Sequence, residues 1–275
     1  MDEDVRSWVG SVLGEDRITG CVEVQGSLAG NKVYRVSMTD HTDVILKHVP
    51  EPHQRMDLEV RALTLLNESG FTPKILGYSS NAFLMEYVEE HRTEWTSEDA
   101  AEAFSRLTVM RNALSMAGDG FPSLAVRHTR YAWVPEGYSM LQRTRGLEQF
   151  ADPAVEGYHY LRSFPLPECV PVHTDTWQGN WILRESSPVL IDFGNICMGP
   201  YGYDEVTLIA FLPLPVSERV EWVTSAGVPV PVVRACALNA LLAVAASQCH
   251  EGTDWGAWGA QYFPAVREFA EAVVR

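Results

Sequence analysis

The sequence predicts an α+β protein with its strands gathered at the front of the chain and its helices filling the back. Three observations carry that expectation: alternating apolar residues between Cys21 and Val88, helical spacing from Thr96 onward, and two short apolar runs near Val172 and Leu190. The 275 residues suffice to bury a substantial core, and at 46% hydrophobic and 21% charged residues neither disorder nor a fibrous architecture is suggested.

Taken in order, Val22 and Val24 open the strand pattern, a glycine-containing break follows at Gly26–Gly30, and Val33, Tyr34 and Val36 resume it before Val44, Ile45 and Leu46. The short polar stretch Thr39-Asp40-His41-Thr42 between the last two runs predicts an antiparallel hairpin. Met56 to Asn67 places Leu58, Ala62, Leu65 and Leu66 at helical spacing, with Glu68-Ser69-Gly70 as the stop. Ile75–Tyr78 and Ala82–Val88 read as two more strands around Ser79-Ser80-Asn81, which completes a small antiparallel sheet with one main helix.

Beyond that point the composition turns helical. Thr96 lies three residues before Asp99, a capping-box spacing, and Ala100, Ala103, Phe104, Leu107 and Met110 share one face. Asp119–Gly137 is rich in turn formers and predicts a loop. The longest apolar stretch, Ala235–Ala246, is broken by Asn239 and too short to span a bilayer, so it predicts a buried helix. The expected division is 1–88 and 89–275.

The formal net charge of -15 argues against nucleic acid or an anionic membrane as partner and suits a cationic small molecule, although an acidic surface also simply favours solubility. Cys21, Cys169, Cys197, Cys236 and Cys249 contain no CxxC pair, so neither a disulfide framework nor a zinc site is predicted. Met1–Glu15 opens with acids and lacks a basic stretch before an apolar run, which predicts no leader and a cytoplasmic address.

The chemistry concentrates in His173-Thr174-Asp175-Thr176-Trp177-Gln178-Gly179-Asn180 and in Val189-Leu190-Ile191-Asp192-Phe193-Gly194. Each motif alone is loop punctuation, but together they supply what phosphoryl transfer needs: a carboxylate to orient and deprotonate a hydroxyl, and oxygen ligands for magnesium on the phosphates. Lysine occurs only at Lys32, Lys47 and Lys74; Lys47 ends an apolar strand and Glu59 follows twelve residues later on the next helix.

On these motifs the chain resembles the aminoglycoside phosphotransferase-like small-molecule kinases, which include the choline kinase type. The resemblance spans roughly residues 20 to 210 and implies a two-lobed, protein-kinase-like fold, with a nucleotide-binding lobe at 1–88 and a catalytic and substrate-binding lobe at 89–275. It assigns Asp175 as catalytic base and Asn180 and Asp192 as Mg2+ ligands, and it makes His173 architectural. Lys47 would hold the donor phosphates with Glu59 fixing its ammonium, and Ser27 would sit in a nucleotide-covering loop. Phe83–Val88 looks like the interlobe hinge, with Met85 facing the base and the backbones of Glu86 and Val88 bonding it. Asp204, in Gly199-Pro200-Tyr201-Gly202-Tyr203-Asp204, would brace the catalytic loop. Thr174 departs from the pattern, since glycine is common there, and Trp177 and Trp181 crowd the loop.

The function so implied is ATP-dependent, or GTP-dependent, O-phosphorylation of a small hydroxylated acceptor. A cationic antibiotic, aminoglycoside or basic peptide, agrees with the acidic balance, and acids such as Glu205, Glu251 and Asp254 with aromatics such as Trp133, Trp255, Trp258 and Tyr262 are candidates to grip it. A metabolic kinase acting on choline, methylthioribose, homoserine, a sugar or a nucleoside stays open. So do a nucleotide-binding pseudokinase and a metal-dependent hydrolase built on His173 and Asp175.

Overall fold

The computed structural model describes residues 3–24, 32–49, 54–116, 120–125, 133–165, 168–185 and 187–274. In chain order the elements are α1 (Glu3–Leu13), β1 (Ile18–Val24), β2 (Lys32–Met38), β3 (Asp43–His48), α2 (Gln54–Leu65), β4 (Ile75–Tyr78), β5 (Ala82–Glu86), α3 (Ser97–Met116), α4 (Trp133–Arg143) and α5 (Glu148–Arg162). There follow β6 (Cys169–Val172), β7 (Trp181–Leu183), β8 (Pro188–Leu190), β9 (Cys197–Pro200), α6 (Tyr203–Phe211), α7 (Val216–Ser225), α8 (Val230–Ser247) and α9 (Asp254–Val274). By internal contacts the chain forms two units, Met1–Arg92 with Ile182–Asn195, and Thr93–Trp181 with Ile196–Arg275. The stretch 182–195 thus groups with the front of the chain although it lies far along the sequence.

The first unit is built on a five-stranded sheet in the order β1-β2-β3-β5-β4, with every neighbouring pair antiparallel. The predicted hairpin is β2–β3. At its turn His41 takes a left-handed φ of 62°, and Asp40 Oδ1 accepts the Thr42 N–H at 3.2 Å. Strand alternation sends Tyr34, Val36, Met38, Val44, Leu46, Ala82 and Leu84 to one face, where Val5 and Val9 of α1 cover them. Each fully buried aliphatic side chain there contributes about 1.5–3 kcal/mol.

That covering helix is absent from the sequence expectation, yet its signal is legible. Val5, Trp8, Val9 and Val12 recur at helical spacing behind two acids in the first turn. Because α1 seals one face, the opposite face is left to Val33, Ile45, Lys47, Phe83 and Met85. β5 stops at Glu86 rather than running to Val88. Val44 stands opposite Glu86, and β3 begins one residue earlier, just after the turn, so no strand residue faces Val88.

In the second unit the capping box of α3 is present: Asp99 Oδ2 accepts the Thr96 N–H at 2.9 Å, and the Asp99 N–H donates to Thr96 Oγ1 at 3.2 Å. The apolar α8 is long and apolar enough to cross a membrane by composition, but it is mostly buried and forms the centre of the helical packing. α4, α5 and α9 all pack on it through glycine notches. A Cβ at Gly137 would lie 2.4 Å from the Leu242 carbonyl oxygen, one at Gly157 3.2 Å from Ala235 Cα, and one at Gly259 1.5 Å from Ser247 Oγ.

The predicted loop Asp119–Gly137 is corrected at its end, where α4 begins at Trp133. Pro135 occupies the first turn, in which its missing N–H costs nothing, and Gly137 serves close helix approach rather than a turn. Gly137→Ala should therefore lower the unfolding free energy by about 1–3 kcal/mol. In denaturant titration Gly20→Ala, whose Cβ would meet nothing closer than 3.9 Å, serves as the near-neutral control.

Candidate active site

In the first unit, alternation along β3 buries Val44, Leu46 and His48 toward the α1 side and turns Lys47 to the other face. Two carboxylates meet it there. Lys47 Nζ donates to Glu59 Oε2 of α2 at 2.6 Å and to Asp192 Oδ1, which follows β8, at 2.7 Å. The Lys47 and Glu59 side chains are 12% and 3% exposed, and Asp192 is 44% exposed.

Asp192 is delivered by the strand before it and the turn after it. The Leu190 N–H donates to the Phe71 carbonyl at 2.9 Å, fixing β8, and the fully buried Phe193 anchors the turn at 193–195. Between them Asp192 takes a left-handed φ of 61°, a conformation asparagine and aspartate tolerate best among non-glycines. Burial disfavours the Lys47 ammonium, but the carboxylates of Glu59 and Asp192 outweigh it and raise the lysine above its usual range. Burial pushes Glu59 up to about 7 against the opposing pull of Lys47; the Asp192 charge adds to the rise and the Phe193 N–H offsets it.

One ammonium facing two carboxylates leaves the cluster one charge short when both ionise. The half-exposed Asp192 is the member that can take a cation, so these residues fit a divalent metal held with phosphate oxygens. Met85 is half-buried and stands opposite Ile45, on the face that carries Lys47 and Phe83. The Glu86 N–H donates to the Lys74 carbonyl at 2.9 Å, and Val88 is buried. Ser27 and the loop Gly26–Asn31 lie outside the described residues.

The second unit carries the other motif between β6 and β7. β6 pairs antiparallel with β9, from Cys169 opposite Pro200 to Val172 opposite Cys197, so the loop leaves beside the start of β9, and β9 then runs back along β6 before the chain turns into α6. Asp204, at the start of α6 and fully buried, accepts the His173 N–H and the Thr174 N–H, one on each oxygen, both at 2.8 Å. Its carbonyl accepts Thr176 Oγ1 at 2.7 Å. His173 is fully buried, and its Nδ1 accepts the Asp175 N–H at 3.3 Å, so the ring supports the backbone of the loop. Asn180 Nδ2 donates to the Asp175 carbonyl at 2.7 Å, which leaves Oδ1 as the atom able to ligate a cation. Asp175 itself is half-exposed.

Thr174 has φ 69°, left-handed and strained for a β-branched residue, which gives the physical reason a glycine suits this position. Beneath the loop, Arg111 of α3 pairs with Glu205 at 2.5 Å, and both are buried. Glu205 is thereby removed from the acids able to grip an acceptor. Arg111 is missed by the sequence reading; its place on the buried stripe of α3, one residue after Met110, is the only signal for it. Of the aromatics, Trp133 packs edge-on with Tyr158, Trp255 lies 4.4 Å from the His250 ring, and Trp258 and Tyr262 cluster with Trp177.

Residues 24–223 match the phosphotransferase enzyme family APH, and the chain belongs to that family as a small-molecule kinase. No curated protein sequence matches the chain. Among solved structures it is similar to choline kinase LicA from Streptococcus pneumoniae, at 16% identity and TM-score 0.64 over 98% of each chain. It is also similar to the spectinomycin phosphotransferase APH(9)-Ia in complex with ADP and spectinomycin, at 10% identity and TM-score 0.62, covering 98% of this chain and 94% of that one. The aminoglycoside phosphotransferase APH(2'')-Ib, ADP-bound, aligns at 13% identity and TM-score 0.60 over 99% of each. At these identities the likeness is one of fold, the small antiparallel sheet followed by a mostly helical region.

Two outcomes are expected. Thr174→Gly should stabilise the fold by about 1 kcal/mol, since relief of about 1–3 kcal/mol of strain exceeds the added chain entropy of glycine. Equilibrium unfolding measures it, and a loss of stability would show that the threonine side chain outweighs the strain. Burial and the neighbouring Glu205 charge raise the Asp204 carboxyl to about 7, against the His173 and Thr174 N–H groups and Arg111. An acid raised in the fold holds its proton there while the unfolded chain has released it, so its contribution is present in full below pH ~4 and is lost as pH rises toward ~7. Relative to Asp204→Asn, the wild type should lose stability across that window; parallel stability curves would contradict the assignment.

Proposed function

We propose that this protein transfers the γ-phosphoryl group of ATP, or of GTP, to a hydroxyl of a small cationic natural product, an aminoglycoside or basic peptide antibiotic, in the cytoplasm. The observation that carries the donor half is the Lys47 ammonium held by Glu59 and Asp192 at 2.6 and 2.7 Å, joining residues 12 and 145 positions apart. A lysine so fixed binds donor phosphate oxygens as a positioned charge, and Glu59 keeps it from swinging away. Asp192 and Asn180 would hold magnesium, which when bound neutralises charge on the phosphates. Asp175 orients the acceptor hydroxyl and takes its proton.

Met85 would face the base. With the Glu86 N–H engaged by Lys74, contact from that residue falls to its carbonyl. The acceptor's cationic character is supported by the net charge of -15. A metabolic acceptor bearing an ammonium group, such as choline, is favoured by one observation: the half-buried Trp177, two residues beyond Asp175, has its ring centroid 5.8 Å from that of the half-buried Trp258.

The decisive assay incubates the protein with ATP or GTP, magnesium and a panel of cationic antibiotics, choline and sugars, and follows mass gain of one phosphoryl group. Asp175→Ala should lower kcat by about 10²–10⁴ while nucleotide binding persists. Lys47→Ala should weaken nucleotide binding. Nucleotide binding without turnover on any acceptor would instead favour a pseudokinase, and transfer at the wild-type rate by Asp175→Ala would refute the base.

A further inference from the structure

The matched family segment ends at residue 223, yet the catalytic loop makes its outermost side-chain contacts with α9, which lies wholly beyond it. Tyr262 is the centre of those contacts. It is 8% exposed, its hydroxyl accepts Gln178 Nε2 at 2.7 Å and Gln261 Nε2 at 3.1 Å, and its ring lies 5.6 Å from Trp177, edge-on. Phe211 and Trp258 close the cluster, with centroids 5.6 and 5.9 Å from the Tyr262 ring.

The loop is shaped to meet this cluster. The Trp177 ring folds back over Gly179 so closely that a Cβ there would lie 2.1 Å from the indole, so only glycine lets the ring turn toward α9. Gln178 opens the short 3-10 turn Gln178–Asn180, whose last residue donates its side-chain amide to the Asp175 carbonyl at 2.7 Å. A continuous chain of contacts therefore runs from the Tyr262 hydroxyl through Gln178 and the turn to Asn180 and Asp175. Asp204 fixes the first half of the loop through His173, Thr174 and Thr176, whereas Gln178 ties the turn at 178–180 to α9.

We infer that Tyr262 is a positioning residue for phosphoryl transfer, holding through Gln178 the turn that presents Asn180 to magnesium and supports Asp175. The inference rests on the proposed roles of Asp175 and Asn180. The hydroxyl acts as acceptor only, its two donors being side-chain amides, so phenylalanine removes the function while keeping the ring contacts. Loss of the anchor leaves the Gln178 amide without its partner and lets the turn move, which loosens the cation ligand.

The test compares Tyr262→Phe, Gln178→Leu and the double variant with wild type, and uses Gly137→Ala as a variant destabilised elsewhere. Tyr262→Phe is expected to raise the magnesium concentration for half-maximal turnover about tenfold, the range for loss of a group that orients a metal ligand, with the KM for nucleotide at saturating magnesium little changed. The double variant should be no worse than either single one, because both remove the same contact. Independently of turnover, amide hydrogen exchange over 175–180 should quicken in Tyr262→Phe and stay at the wild-type rate in Gly137→Ala. Unchanged exchange in Tyr262→Phe, or an equal change in both variants, overturns the inference. Absence of phosphoryl transfer in the wild type strikes at the kinase reading alone, and the exchange measurement still decides the anchoring.

Discussion

The first unit depends on one buried ammonium. Lys47 binds three segments that the chain supplies separately, β3, α2 and the turn after β8, and it does so with two carboxylates at hydrogen-bonding distance. Such an arrangement is not a device for stability, because an apolar substitute of the same volume would serve as well or better, whereas removing the lysine alone would strand buried charge at about 3–5 kcal/mol. Its value lies in the charge being fixed in direction. The surplus negative charge on Asp192, which Lys47 does not balance, is left on the member of the trio that reaches solvent.

The second unit solves the same physical problem with the opposite sign. There a buried acid, Asp204, collects backbone N–H groups, and the loop folds around it. A carboxylate that accepts two amides holds the backbone in a shape the sequence does not favour locally, as the left-handed Thr174 shows. The nearby Arg111–Glu205 pair is buried and neutral as a unit, so it gives Asp204 no net counter-charge, in keeping with its raised carboxyl. In both units, therefore, ionisable side chains out of water fix a half-exposed carboxylate, Asp192 in one and Asp175 in the other.

How far the sequence speaks follows from this. The β2–β3 hairpin, α2, the capping box of α3 and the buried α8 were legible because each rests on local periodicity or on side chain to backbone bonding within a few residues. Lys47, Glu59 and Asp192 were legible because strand ends and fixed spacings mark them. α1 is harder to read because its three-turn stripe is short and its acidic opening speaks only to whether a leader is present. The start of α4 escaped because Pro135 and Gly137 are turn formers by propensity and become helical through position in the first turn and contact with Leu242. Arg111 and the fate of Glu205 escaped because a buried ion pair between two helices leaves no spacing to read.

The same distinction separates chemistry from specificity. The groups proposed to act on phosphates follow strand ends and tight turns, so they appear as short motifs, and they lie within the family match at 24–223. The helices α8 and α9 fall beyond residue 223, and what they contribute is set by packing: glycine notches that admit close contact, and an aromatic cluster that ties Trp177 and Gln178 to Tyr262. Packing of that kind can vary while the motif stays constant. On the roles proposed for Asp175, Asn180 and Asp192, a chain can keep all three and still differ in its acceptor, because the aromatic cluster beside Trp177 and Gln178 is made by elements the motif does not constrain.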